Sequence, residues 1–315
     1  MSVRVHEGDL AELPVGDQGV APPWPGDMDG LVYVRRTPWT GAEPALFVHG
    51  LGGAATNWTD LMGLLADRLD GEAVDLPGFG HSPPPAAGRY RVSVHARAVV
   101  DLLDRQGRGP VHLFGNSLGG AVSTRVAAWR PDLVKTLTLV SPALPNLKRQ
   151  KGSDPRLPLL LLPGVSSLAA RKLAEQSPEA RAKAVLQLCY GDPTKVHPAR
   201  LVEAAEEVAR RNGLPHAQDA FMLSLRGLVG SYLQRGSKGL WAQAATVRTP
   251  TLLVWGDRDR LVDPALAPKA LRTFPDARLL MLPGVGHVAQ METPDVVARA
   301  FLGMLDELAE RRASR

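Results

Sequence analysis

The run "VHLFGNSLGGAVSTRVAAW", residues 111–129, constrains the fold more than any other part of the chain. Val111 to Phe114 reads as a strand, it leads straight into Gly115-Asn116-Ser117-Leu118-Gly119-Gly120, and an apolar pattern with helical spacing follows. A strand handed over to a helix through one tight glycine turn is half of a βαβ unit. Sheets built from such units are mostly parallel and carry helices on both faces.

The rest of the chain repeats the alternation around one long interruption. Leu31 to Val34 and Ala45 to Val48 read as strands, and Ala73-Val74 as a shorter one before the breaker-rich "DLPGFGHSPPP". Val94, Ala98 and Leu102, with Val99 and Leu103, recur at helical spacing, and Leu137 to Val140 is strand-like again. From about residue 145 to 245 Ala, Leu, Arg and Glu dominate and only Pro and Gly break a helical pattern. Then a strand (Thr251 to Trp255), a helix (Pro264 to Thr273), a strand (Arg278 to Leu282) and a last helix with Val296, Val297, Ala300, Phe301 and Met304 on one face return. These patterns predict an N-terminal arm over 1–30, an α/β core over 31–144, a helical cap over 145–245 and the second part of the core over 246–315.

Several function classes are disfavoured. The longest apolar run, "LPLLLLPGV" (residues 157–165), is far shorter than the roughly 20 residues of a membrane span. The first twelve residues hold three acids and no apolar stretch of the secretory kind. A lone cysteine, Cys189, excludes an internal disulfide and fits a cytoplasmic protein. Without a second cysteine or clustered histidines, no metal and no cofactor are expected. The net charge of +5 gathers in residues 145–245, which carry 15 Lys and Arg against 8 Asp and Glu. No nucleic-acid-reading motif accompanies them, so they read as a solvated Arg-rich helical surface.

What the glycines do is geometric. A Gly-x-Ser-x-Gly pentad between strand and helix forms a sharp elbow that lifts Ser117 from the sheet edge, with no room for a side chain at Gly115 or Gly119. The Leu118 N–H, at a helix start, then points where an oxyanion would form. A serine hydroxyl is a poor nucleophile near neutral pH, so the elbow needs a base and a group to orient it, in the chain order serine, acid, histidine. "LLVWGDRDRLVDP" and "LLMLPGVGHVAQME" both end strands at the carboxyl edge. His287 is the expected base. Asp257, Asp259 and Asp263 crowd one loop and any of them could face it, with Asp263, before Pro264, suited to a helix N-cap. Leu51, after the turn in "FVHGLGGAATNW", is the expected second oxyanion donor, and His49 is expected to hold that loop by local hydrogen bonds. His81, His95, His112, His197 and His216 lack such surroundings and receive no role.

With these residues assembled, the chain resembles the α/β-hydrolase fold superfamily, in its branch with a helical cap and a serine nucleophile. "HGLGGAATNW", "DLPGFGHS", "GNSLGG", "WGDRD" and "GVGH" carry the resemblance, in order, from residue 49 to 287. It implies Ser117, Asp259 and His287 as the catalytic residues, the last Asp of a Trp-Gly-x-x-Asp string being the family's acid. Leu51 and Leu118 follow as oxyanion donors. Members with epoxide hydrolase or dehalogenase activity place an aspartate where Ser117 stands, which disfavours both activities. The resemblance therefore implies a carboxylesterase-like or lipase-like hydrolase of a small hydrophobic acyl or aryl ester. Two alternatives stay open, a cofactor-free perhydrolase and a C–C bond hydrolase of ring-cleavage dienones. The elbow "GNSLGG" and the motif "GHVAQME" (residues 286–292) are similar to those of the C–C hydrolases. The His-Gly-Leu-Gly-Gly loop and Val288, where they carry Gly-Pro-Gly and often an aromatic, are departures.

Overall fold

A computed structural model describes residues 3–5, 23–146 and 175–314. Nine strands form one sheet in the order β1-β9-β8-β7-β6-β4-β5-β3-β2. They are β1 (Val3–Val5), β2 (Gly26–Asp29), β3 (Val32–Arg36), β4 (Glu43–Val48), β5 (Leu69–Asp75), β6 (Val111–Asn116), β7 (Val134–Val140), β8 (Thr251–Gly256) and β9 (Ala277–Leu282). Only the β2–β3 and β3–β5 pairs are antiparallel, so the predicted mostly parallel α/β sheet is the one observed. Two of its edge strands fall within residues 1–30: β1 pairs parallel with β9, and β2 pairs with β3.

Alternating side chains divide the core in two, as the two-residue period of a strand requires. Leu46, Val48, Leu113, Leu253, Trp255 and Leu279 face one side, where α2 (Val92–Gln106) and α3 (Leu118–Trp129) pack with Val99, Leu102, Val122 and Val126. Phe47, Phe114, Leu252, Val254 and Leu280 face the other, covered by α1 (Thr59–Leu65) and by Val297, Phe301 and Met304. Phe47 and Phe114 stack at 4.3 Å between centroids, fixing β4 and β6 side by side.

The described part of the insertion is helical: α4 (Pro178–Cys189), α5 (Pro198–Asn212), α6 (Ala217–Tyr232) and α7 (Leu240–Ala244). The "LPLLLLPGV" run lies outside the described residues. Core and insertion are tied by a two-pronged ion pair from Arg200 on α5 to Asp60 on α1, at 2.8 and 3.0 Å. The chain then re-enters the sheet through β8 and continues as α8 (Ala267–Thr273), β9, the short α9 (Ala289–Glu292) and α10 (Pro294–Ala313).

Because β4 to β9 run parallel, their carboxyl ends open on one edge of the sheet. Residues 49–53, 117, 257–259 and 283–288 all leave strands there, which is where open α/β sheets bind ligands.

Candidate active site

Ser117 stands between β6 and α3 with φ 53° and ψ −115°, a conformation that costs an ordinary residue on the order of 1–3 kcal/mol. Neighbouring backbone holds it there. Its N–H donates to Val140 O at 3.1 Å, and its carbonyl accepts from Ala121 at 3.1 Å and Ala143 at 2.9 Å. A Cβ on Gly115 would lie 2.6 Å from Gly119 O, and one on Gly119 would lie 2.1 Å from Val48 O. The two glycines thus let the helix start press against its own strand and against the end of β4.

That second contact brings the 49–53 loop to the serine. A Cβ on Gly50 would sit 3.1 Å from the Ser117 Cβ, so Leu51 follows directly on the residue touching the elbow. Leu118 is the first residue of α3, and its N–H has no intrahelical acceptor. His49 is fully buried and acts as loop support: Nδ1–H donates to Gly50 O at 2.7 Å while Nε2 accepts from the Leu76 N–H at 2.9 Å. Burial lowers its pKa against the pull of the Asp75 carboxylate, consistent with this neutral tautomer.

His287 and Asp259 are both buried, and Nδ1 of the imidazole lies 2.8 Å from Asp259 Oδ2. The other carboxylate oxygen accepts the N–H groups of Leu261 at 2.8 Å and Val262 at 2.9 Å. Burial opposes charge on Asp259, yet His287 and those two donors together hold its pKa below the usual carboxylate value. The neighbouring acids have other partners. Asp257 Oδ1 accepts from Gly284 N–H at 2.7 Å, and Asp263 caps the turn before α8 by accepting from Ala265 N–H at 3.0 Å.

The link between serine and histidine is Asn116, which the sequence did not single out. Its side-chain amide donates to Val140 O and to His287 O, both at 3.1 Å, so the residue before Ser117 grips the backbone of the imidazole itself. Among the described residues no hydrogen bond joins the Ser117 hydroxyl to His287, whose Nδ1 faces Asp259. From the cap, Phe221 and Arg211 reach down to the 49–53 loop. Arg211 donates to Gly52 O at 2.7 Å, and a Cβ on Gly52 would meet the Phe221 ring at 3.0 Å.

No described residues cluster as metal ligands. No described helix is long and apolar enough to cross a membrane.

Known proteins share this arrangement of chain. The sequence is 30% identical to Lipase 3 of Moraxella sp. (strain TA144) over 284 residues, which is 89% of this chain and 82% of the lipase. It is 25% identical to a 2-hydroxy-6-oxononadienedioate/2-hydroxy-6-oxononatrienedioate hydrolase of a Pseudomonas species, covering 89% of this chain and 93% of that one. The fold superposes on a variant of the meta-cleavage product hydrolase CumD of Pseudomonas fluorescens IP01 with a TM-score of 0.71, at 18% identity, over 90% of this chain and 98% of the other. The alpha/beta hydrolase fold family's sequence model matches residues 44–294, from inside β4 to the first residue of α10, and this chain belongs to that family of hydrolases.

Proposed function

We propose that the protein is a serine ester hydrolase in which Ser117 is the nucleophile, His287 the base and Asp259 the group that orients the base. One observation carries the reading: a buried imidazole–carboxylate pair is held by Asn116 beside a serine in a strained elbow. Asp259 keeps the proton on Nδ1, which leaves Nε2 free to accept the Ser117 proton as Oγ attacks an ester carbonyl carbon. Negative charge then gathers on the former carbonyl oxygen, where the N–H groups of Leu51 and Leu118 receive it. Each such donor is worth about 3 kcal/mol in comparable sites. Collapse of the tetrahedral species breaks the ester C–O bond, and the departing alkoxide takes the proton from the imidazolium. Water, deprotonated by the same base, cleaves the acyl-enzyme and restores the serine.

The Phe221 ring, packed against Gly52 of the 49–53 loop, favours a hydrophobic acyl or aryl group on the substrate. Hydrolysis of p-nitrophenyl esters from acetate to laurate by the wild type and by Ser117→Ala tests the reading. The wild type turns over with a chain-length optimum, and Ser117→Ala loses at least about 10³-fold in kcat while staying folded. Equal turnover by the two proteins refutes the assignment. The Pseudomonas relative supports a second reading, C–C hydrolysis of a dienone. Serine-dependent bleaching of such a dienone, in a protein inert to every ester, would establish that reading instead.

A further inference from the structure

We infer that Glu292 is a positioning residue that clasps the cap to the histidine loop and thereby fixes the place of His287. The inference rests on the reading of His287 as the base.

Glu292 closes the motif "GHVAQME", at the end of α9, and its side chain is buried. Its two oxygens collect three backbone N–H groups from two separate parts of the chain. Oε2 accepts from Gly191, just past the cap helix α4, at 2.9 Å and from Gly286, just before the histidine, at 2.8 Å. Oε1 accepts from Asp192 at 2.9 Å. One carboxylate oxygen is therefore shared between the cap and the loop that carries the imidazole. No Lys or Arg pairs with Glu292 among the described residues, and these amide dipoles are what meets its charge.

The segments joined in this way are already in contact. The His287 N–H donates to Cys189 O, the last residue of α4, at 2.6 Å. A Cβ on Gly191 would lie 2.3 Å from Gly284 O, and one on Gly286 would lie 2.2 Å from Cys189 O. Two strands of backbone thus run against each other without space for a side chain, and Glu292 is the side chain that bonds to both. Any displacement of α4 relative to the sheet must break a bond to Glu292 or carry residues 286 and 287 with it. Cap position and imidazole position are then one variable.

Glu292→Gln keeps the shape but replaces one acceptor oxygen with a donor that faces an N–H. Hydrogen exchange should show the amides of Gly191, Asp192 and Gly286 all accelerating by about tenfold or more in this variant. On the p-nitrophenyl esters kcat should fall about tenfold or more, with KM changing less than about twofold, and labelling of Ser117 by an organophosphonate should slow in step. Glu292→Asp should behave likewise, since it retains the charge but falls one methylene short.

Loosened amides with unchanged kcat and labelling would make the carboxylate a structural anchor only and overturn the inference. Unchanged amides would overturn it as well. A wild type that never labels at Ser117 would count against the proposed serine chemistry, and the inference would fall with it; in a labelling wild type, failure of the variants' predictions counts against the clasp alone. If neither variant folds, the wild type still decides: the three amides should open at a common rate, and rates spread over more than about tenfold overturn the clasp.

Discussion

At the scale of single residues, the three acids of the 257–263 loop differ in what they touch. Asp257 holds Gly284, Asp263 caps a turn, and Asp259 alone faces the imidazole. Asp259→Asn would leave an oxygen for the Leu261 and Val262 N–H groups but could present an NH2 to His287 Nδ1. That arrangement favours the imidazole with its proton on Nε2, which cannot accept one from serine. We expect kcat to fall by about 10⁴-fold with little change in KM, measured on the best p-nitrophenyl ester; near wild-type turnover would remove Asp259 from the mechanism. Sequence patterning points to Ser117 and His287 because glycines are demanded locally, by the elbow and by the tight loop after β9. It could not choose among three acids within one seven-residue loop, since that choice depends on a partner 28 residues away. Asn116 and Glu292 escaped notice for the same reason. Each joins a backbone group far away in sequence, 171 residues for Asn116 and 101 for Glu292, and an Asn or a Glu carries no local mark of such bonds.

At the scale of elements, the junction of β6 and α3 depends on how near the helix start comes to the end of β4. Gly119→Ala would put a methyl group 2.1 Å from Val48 O and 2.5 Å from His49 O, against backbone that cannot swing aside. The loop bearing Leu51 and the helix bearing Leu118 must then separate. We expect a loss of about 1–3 kcal/mol in urea denaturation, as for other overpacked sites. On the proposed mechanism activity should fall by about 10²-fold or more, because displacing its oxyanion donors weakens transition-state charge stabilisation. Gly230→Ala is the control, since a Cβ there meets nothing within 4 Å in helix α6; it should keep full activity. If the Gly119 variant were as stable and active as this control, the close approach would not matter. Strand β5 marks the limit of local reading. All seven of its residues are buried, yet "LDGEAVD" reads as strand only at Ala73-Val74. Asp70 accepts the N–H and hydroxyl of Thr40, and Glu72 pairs with Arg36 and Arg108, so tertiary partners satisfy acids that would otherwise exclude the segment from a sheet. Edge strands β1 and β2, three and four residues long, were hidden because so short a strand is defined by its neighbour.

At the scale of the whole molecule, three buried histidines make stability depend on pH well above the range where carboxylates protonate. His49 supports the 49–53 loop. His95 on α2 reaches Ser224 on the cap helix α6, its Nε2 lying 3.2 Å from the hydroxyl, and His112 on β6 lies 2.8 Å from Thr136 Oγ1. Burial lowers the pKa of all three, opposed at His49 by Asp75 and at His112 by Glu43, and it pushes His95 down to about 3. The unfolded chain binds protons at these imidazoles as pH falls through about 6.5, whereas the folded chain does not. Unfolding free energy must therefore drop as the solution is acidified. His95 alone contributes a slope of about 1.4 kcal/mol per pH unit between about 6 and 4, with the other two adding in the same direction. Below that window Asp75 and Asp259 join them. Their pKa values are lowered in the folded state by hydrogen-bonded partners despite burial, so their contribution is present above the ordinary carboxylate range and is lost as they protonate. Urea midpoints measured from pH 7 to 4.5 should fall steadily, and His95→Leu should flatten the slope by about 1.4 kcal/mol per unit whatever it does to stability at pH 7. A slope that stays the same in His95→Leu would mean that His95 is protonated within the fold, and the neutral contact joining α2 to the cap would have to be abandoned.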